Sequence, residues 1–216
     1  MPIMIDLETL AVTPDAVMLS IGACEFSYTN DTVLNSFYRR ITPTGQEYGR
    51  IDPRTLAWHM LLPDDARREM AKCLTDGMHI KQALSDFADW MAHTKSDHGP
   101  TPMHVWSHGA TFDTPITIFH LSRNGFDPDA VFGSHRIFRD TRTLYDVVGF
   151  KEVPSGDDYL TYMLAQGGTW SKRMGKKEGI EHHALSDAIF QARCVSSVFQ
   201  GRRGVYLTNK REENAG

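Results

Sequence analysis

The stretch Ile3-Met4-Ile5-Asp6-Leu7-Glu8-Thr9 constrains this chain more than any other. In an extended strand successive side chains alternate faces, so Ile3, Ile5 and Leu7 point one way while Met4, Asp6 and Glu8 point the other. Three apolar residues can then enter a core, and two carboxylates meet on the opposite side toward the strand's C-terminal end. Residues two apart on one face lie roughly 6–7 Å from each other at ~3.3 Å rise per residue. That gap suits a divalent ion held between two oxygen ligands. Taken alone, the same pattern fits a half-buried first strand ending in two solvated acids.

Composition narrows the field. With 216 residues, 41% hydrophobic and 23% charged, the chain is long enough for one domain with a full core. No run of ~18 apolar residues occurs, so no membrane span is expected. The first residues show neither the basic flank nor the apolar stretch of a signal peptide. Cys24, Cys73 and Cys194 are far apart and odd in number, which reads as reduced, buried thiols of a cytoplasmic protein. A net charge of −4 speaks against a duplex-binding protein. Two divalent cations held by four carboxylates would offset it, however, so a partner gripped only at a strand end stays compatible.

After the first strand, strands are expected over Ala16–Tyr28, with Gly22 as a bulge, and over Thr32–Thr42, giving an antiparallel meander. Asp52-Pro53 opens a helix carrying Leu56, Trp58 and Met60 that breaks near Pro63. Asp64 opens a second helix through Ala66, Met70 and Leu74, and Ile80, Leu84, Phe87, Ala88 and Met91 predict a third over Ile80–His93. Met103–Ser107 reads as a short strand leading through Gly109 into a helix from about Phe112 to Asn124, which Gly125 closes. Ile137-Phe138 is another short strand. Gly149 to Glu181 reads as irregular, with one short helix around Tyr159–Ala165. Leu185, Ala188, Ala192, Val195 and Phe199 recur at helical spacing and predict a helix over Ala184–Phe199 with one apolar stripe. Strands first, then strands alternating with helices, predict a single α/β domain over residues 1–207, followed by a loose polar tail over 208–216.

Two further acids sit in distinctive surroundings. Asp113 ends Trp106-Ser-His-Gly-Ala-Thr-Phe-Asp113, where a strand gives way through a glycine turn to a helix, and Asp187 ends His182-His-Ala-Leu-Ser-Asp187. Each alone fits a structural carboxylate facing a helix N-terminus. Together, Asp6, Glu8, Asp113 and Asp187, with His182 before the last acid, resemble the DEDDh 3′→5′ exonucleases in order and separation. In that family the motifs are Asp-x-Glu on the first strand, a second ending in Phe-Asp, and His-x-Ala-x-x-Asp. Trp58 following Ile51 to Ala57, the Trp106–Asp113 segment and Arg139-Asp-Thr-Arg-Thr-Leu144 look like one branch, which includes phage exonuclease A and the mycobacterial-type exoribonuclease. Many members carry Asn four residues before the second Asp. Gly109 holds that place here, which leaves open what fixes the turn that aims Asp113.

The resemblance implies a ribonuclease H-like α/β fold, a mixed central sheet flanked by helices. It implies a metal-dependent enzyme releasing 5′-mononucleotides from single-stranded 3′ ends, RNA as first expectation and DNA a close second. Two Mg²⁺ or Mn²⁺ ions would be held by Asp6, Glu8, Asp113 and Asp187, as oxygen-only ligands favour these ions over zinc. Asp6 would bridge both ions, Glu8 and Asp187 would complete the site of the attacking water, and Asp113 would serve the ion beside the leaving oxygen. His182 would be the general base, its ordinary pKa of ~6.5 suiting neutrality; His183 is its rival, and the motif register selects His182. Thr9 and Leu10 would meet the terminal sugar and base, joined by Phe112. Trp58 reads equally as a base-stacking or a core residue. Lys172, Arg173, Lys176 and Lys177 form a dense basic cluster that reads as solvated charge or as a lid touching phosphates. His104 and His108 lie on a strand, so a zinc pair is not expected. Related enzymes often pair, which makes a homodimer a further expectation. Two other readings stay open: a silent nucleic-acid-binding module of the same fold, and a phosphoesterase acting on very short oligonucleotides.

Overall fold

The computed structural model describes residues 1–30, 32–147 and 182–200. The expected helix around Tyr159–Ala165, the basic cluster Lys172–Lys177 and the tail over 208–216 lie outside the described residues. Five strands form one sheet in the order β3-β2-β1-β4-β5. Strands β1 (Pro2–Thr9), β2 (Met18–Phe26) and β3 (Val33–Arg40) make the antiparallel meander, while β4 (His104–Ser107) and β5 (Phe138–Asp140) add in parallel beyond β1. The sheet is therefore mixed, and the acidic strand is its centre.

Both faces of β1 are covered. Ile3, Ile5 and Leu7 join a core with Phe37, Leu84, Phe87, Ile116 and Leu121, contributed in part by helices α3 (Ile80–Asp97) and α4 (Asp113–Arg123). Met4, on the other face, packs with Cys24, Phe26 and Trp106 against Ala188, Ala192 and Val195 of α7 (Ala184–Phe199). The alternation was thus legible, but the face carrying Asp6 and Glu8 is roofed by the last helix rather than solvated. Small residues on α7 let it lie close. Gly22, opposite Asp6 in the ladder, is not a bulge: pairing is regular there, and the register shifts instead at Glu8/Thr9 and Glu25/Phe26. A Cβ at Gly22 would come within 2.2 Å of the Leu185 backbone nitrogen. The glycine exists because the first turn of α7 rests on the bare strand.

Helix α1 (Pro53–Leu61) starts as expected, Asp52 accepting from the Arg54 amide with Pro53 in the first turn. It turns His59 inward and leaves Met60 and Leu61 exposed. Helix α2 (Asp64–Asp76) buries Ala66, Glu69 and Cys73. Helix α3 runs to Asp97, a turn beyond the apolar repeat that ends at Met91, because Thr94 is still buried and its hydroxyl donates to the Trp90 carbonyl at 2.8 Å. A short helix α5 (Pro128–Phe132), capped by Asp127, was not expected, although Asp-Pro repeats the signal that opens α1. Helix α6 (Thr141–Val147) follows β5 directly. Cys24, Cys73 and Cys194 are free and buried, as expected. No helix among the described residues is long and apolar enough to cross a membrane.

Gly22→Ala should therefore unseat α7. Overpacking of a backbone contact this tight is expected to cost about 2–3 kcal/mol, a fall of about 5–10 °C in Tm for a chain of this size. Differential scanning calorimetry reads it. An unchanged Tm would mean that α7 does not rest on Gly22.

Candidate active site

Three distant segments converge at the C-terminal end of β1. Asp6 and Glu8 arrive on the strand face beneath α7, and Asp187 lies in the first turn of α7. Asp113, the first residue of α4, accepts the Leu7 backbone N–H at 3.2 Å. Ligand atoms of Glu8, His182 and Asp187 all lie within 4.8 Å of one another, a group fit to hold a cation.

Electrostatics bind the acids into one cluster. Burial, and then the charges of Asp113, Asp187 and Glu8, push the Asp6 carboxyl well above the ordinary carboxylate range. A hydrogen bond from Gln191 Nε2 to Asp6 Oδ1, 2.8 Å, pulls the other way. Asp113 is 2% exposed. Burial pushes its carboxyl up to about 8, against the pull of backbone N–H donors and of Arg142. Buried carboxyls crowded in this way are short of positive charge, and a hard divalent cation supplies it with the oxygen donors it prefers. The residues present fit such an ion.

The two histidines part company. His182 takes a left-handed backbone, φ 55°, which no other non-glycine described residue adopts, and its ring meets Trp58 edge to face with centroids 4.8 Å apart. His183 turns away. It accepts from the Ser186 amide as N-cap of α7 and stacks on Tyr38 at 4.2 Å, with Glu69 3.9 Å from its Nε2. Glu69 is held by Arg40 and by the Tyr38 hydroxyl at 2.8 Å. Burial alone would raise its pKa, but these donors hold it down to about 2.

The expected substrate residues are placed unevenly. Trp58 is half-buried between His59, at 5.0 Å, and His182, so it forms a wall of the site. Leu10 is 4% exposed and packs with Val17, Leu19 and Cys73; its N–H donates to the Val17 carbonyl. Its side chain faces this core cluster and is not presented to a terminal base, because the register shift after Glu8 folds the chain back under α1. Thr9 is buried, its hydroxyl donating to the Ala11 carbonyl at 2.7 Å and its own carbonyl bonded to His59 Nε2 at 2.9 Å. Phe112 is half-buried against the main core just before Asp113. His104 and His108 have separate partners, Tyr28 and Thr141, at 3.1 and 2.8 Å.

The turn that leads into Asp113 is held by Asp140. Its Oδ1 accepts both the Gly109 N–H at 3.2 Å and the Arg142 N–H at 2.9 Å, tying the glycine turn to the start of α6. Gly109 itself has φ +102°, a conformation open to glycine. Gln191 escaped the sequence reading. Its one signal was position: four residues after Asp187 on the same helix, it shares that acid's face.

The family model for the 3′-5′ exoribonuclease Rv2179c-like domain matches residues 1–199. No curated protein matches the chain in sequence. Among solved structures, the nuclease domain of 3′hExo, a DEDDh family member bound to rAMP, is similar with a TM-score of 0.55 and 15% identity, covering 93% of this chain and 92% of that one. E. coli exonuclease I in complex with a dT13 oligonucleotide gives 0.61 and 17%, covering 96% of this chain and 43% of that one. Cell-death related nuclease 4 gives 0.57 and 13%, covering 93% and 64%. At these identities the structural likeness concerns the fold, which is ribonuclease H-like, as expected.

The crowded acids dictate a pH response in chelator. A raised folded-state pKa means the folded protein keeps protons that the unfolded chain has released, so stability falls as pH climbs. The buried His59, His108 and His120, whose pKa values burial lowers below 6.5, act in the opposite sense but below that value. Tm is therefore expected to fall from about pH 6.5 to about pH 8.5 in EDTA, and Mg²⁺ or Mn²⁺ to raise it most at the alkaline end. A flat profile in EDTA would contradict the crowding.

Proposed function

The chain belongs to the Rv2179c-like 3′-5′ exoribonuclease domain family and is a DEDDh 3′→5′ exonuclease, and from that premise we propose that it shortens single-stranded nucleic acid from the 3′ end, RNA in preference to DNA, with His182 as general base. The observation that carries the reading is the junction of Glu8, His182 and Asp187 within 4.8 Å, beside the half-buried Asp6 and the buried Asp113. The family description speaks for RNA. The fold relative bound to dT13 keeps DNA as the second substrate.

Two divalent cations, Mg²⁺ or Mn²⁺, held by Asp6, Glu8, Asp113 and Asp187, would neutralise the scissile phosphate and ease ionisation of the attacking water. The chain's own residues do the rest. Gln191 orients the Asp6 carboxylate, and the Leu7 N–H fixes that of Asp113. His182, held between the start of α7 and the edge of Trp58, takes the proton from the water, and His183 stays behind as the helix cap. Trp58 is the half-buried aromatic wall on which the terminal base can rest, an interaction worth ~1–3 kcal/mol. The backbone of Thr9 and Leu10 passes beneath it, with the Leu10 side chain kept in its core cluster, and Phe112 backs the second acid.

We read residues 1–207 as one catalytic domain; the family match ends at 199. Three buried free thiols suit a reducing, cytoplasmic setting. A homodimer is the expected assembly, and sedimentation equilibrium reads it.

The test uses matched 5′-labelled single-stranded RNA and DNA with Mg²⁺ or Mn²⁺. A ladder shrinking from the 3′ end, faster on RNA, is expected. His182→Ala should lower kcat about 10²–10⁴-fold while Mn²⁺ still binds, and His183→Ala should act mainly on Tm. Cleavage confined to di- and trinucleotides would point to a short-oligonucleotide phosphoesterase. Metal binding without cleavage would point to a silent binding module.

A further inference from the structure

Arg142 stands at the edge of the acid cluster on a backbone shaped to receive it. Its guanidinium lies over Gly109, four residues before Asp113; a Cβ there would meet Nη1 at 3.2 Å and Cζ at 3.5 Å. Gly109 is held in its left-handed turn by Asp140, which accepts its N–H and that of Arg142. A side chain at 109 would tilt the guanidinium away, so the glycine, the turn and the arginine form one device. The Arg142 side chain is exposed although Asp113 beside it is buried. Its charge nevertheless acts on the buried acid, lowering the Asp113 carboxyl against the effect of burial.

We propose that Arg142 is a substrate-binding residue, a guanidinium clamp for a backbone phosphate of the strand next to the one lying over the acid cluster. The proposal rests on the exonuclease reading of that cluster. A polyanion approaching four carboxylates needs cations, and only the phosphate being cleaved lies against the ions. The neighbouring phosphate must be met by the protein. The planar fork of Arg, in contrast to the point charge of Lys, matches two phosphate oxygens. The Arg142 side chain is exposed, where a passing strand can reach it.

The test compares wild type, Arg142→Gln and Arg142→Lys on a 5′-labelled single-stranded oligonucleotide with Mn²⁺, across a series of salt concentrations. Arg142→Gln is expected to raise KM about tenfold with kcat within about twofold, and to make the slope of log(kcat/KM) against log[salt] shallower by about 0.7, one phosphate contact on a single strand. Arg142→Lys is expected to recover the slope and part of KM. An unchanged slope in Arg142→Gln would overturn the proposal. So would a Lys variant as impaired as the Gln variant in slope, since the arginine would then be bracing the turn rather than meeting a phosphate. Failure of the wild type to cleave would count against the exonuclease reading itself and is seen separately.

Discussion

Four carboxylates that repel one another are forced together at the end of the central strand, and the surrounding structure is arranged around holding them there. Hydrophobic burial does the forcing. Asp6 and Glu8 cannot leave because Ile3, Ile5 and Leu7 lock the strand into one core and Met4 into another. Asp187 cannot leave because Ala188, Ala192 and Val195 seat α7 on the sheet, with Gly22 as the contact that sets its height. Asp113 is pinned by the Leu7 amide. Each apolar side chain fully buried contributes roughly 1.5–3 kcal/mol, enough in sum to hold acids that would otherwise separate.

The second arrangement of note is the division of labour at the start of α7. Two adjacent histidines meet very different surroundings: one is a cap, stacked on Tyr38 beside an Arg40–Glu69 ion pair, and the other faces the acids and Trp58. The cap fixes where the helix begins. The left-handed backbone at His182 then sends its ring to the opposite side. A single helix start thus sets both the metal-capable acid Asp187 and the position of the His182 ring beside it.

Much of this was legible from the residues. Alternation marked β1, the spacing of Leu185, Ala188, Ala192 and Val195 marked α7 to its ends, and Asp-Pro marked the start of α1, because periodicity and capping are local signals. The three acidic motifs were legible for the same reason. What escaped is what depends on contact between distant segments. Gly22 looked like a bulge, since nothing local announces a helix lying on it. Leu10 was expected to meet the terminal base, yet the register shift after Glu8 carries its side chain into a core with Val17 and Leu19. What fixes the turn at Gly109 was not legible until Asp140, thirty-one residues later, was seen to hold it. Gln191 carried a readable spacing but no reason to be singled out until Asp6 lay against it.

The most direct measurement of the central claim is proton release on loading the site. Asp113, raised by burial to about 8, and Asp6, raised by burial and by its acidic neighbours, hold protons near neutrality that a cation must displace. Calorimetric titration of Mn²⁺ into the chelator-stripped protein, repeated in buffers of different ionisation enthalpy at about pH 7.5, counts them. Release of about one proton per protein is expected, reduced in Asp113→Asn. Tight binding with no proton released would mean that the acids are already ionised and separately solvated, and the crowded cluster described here would be wrong.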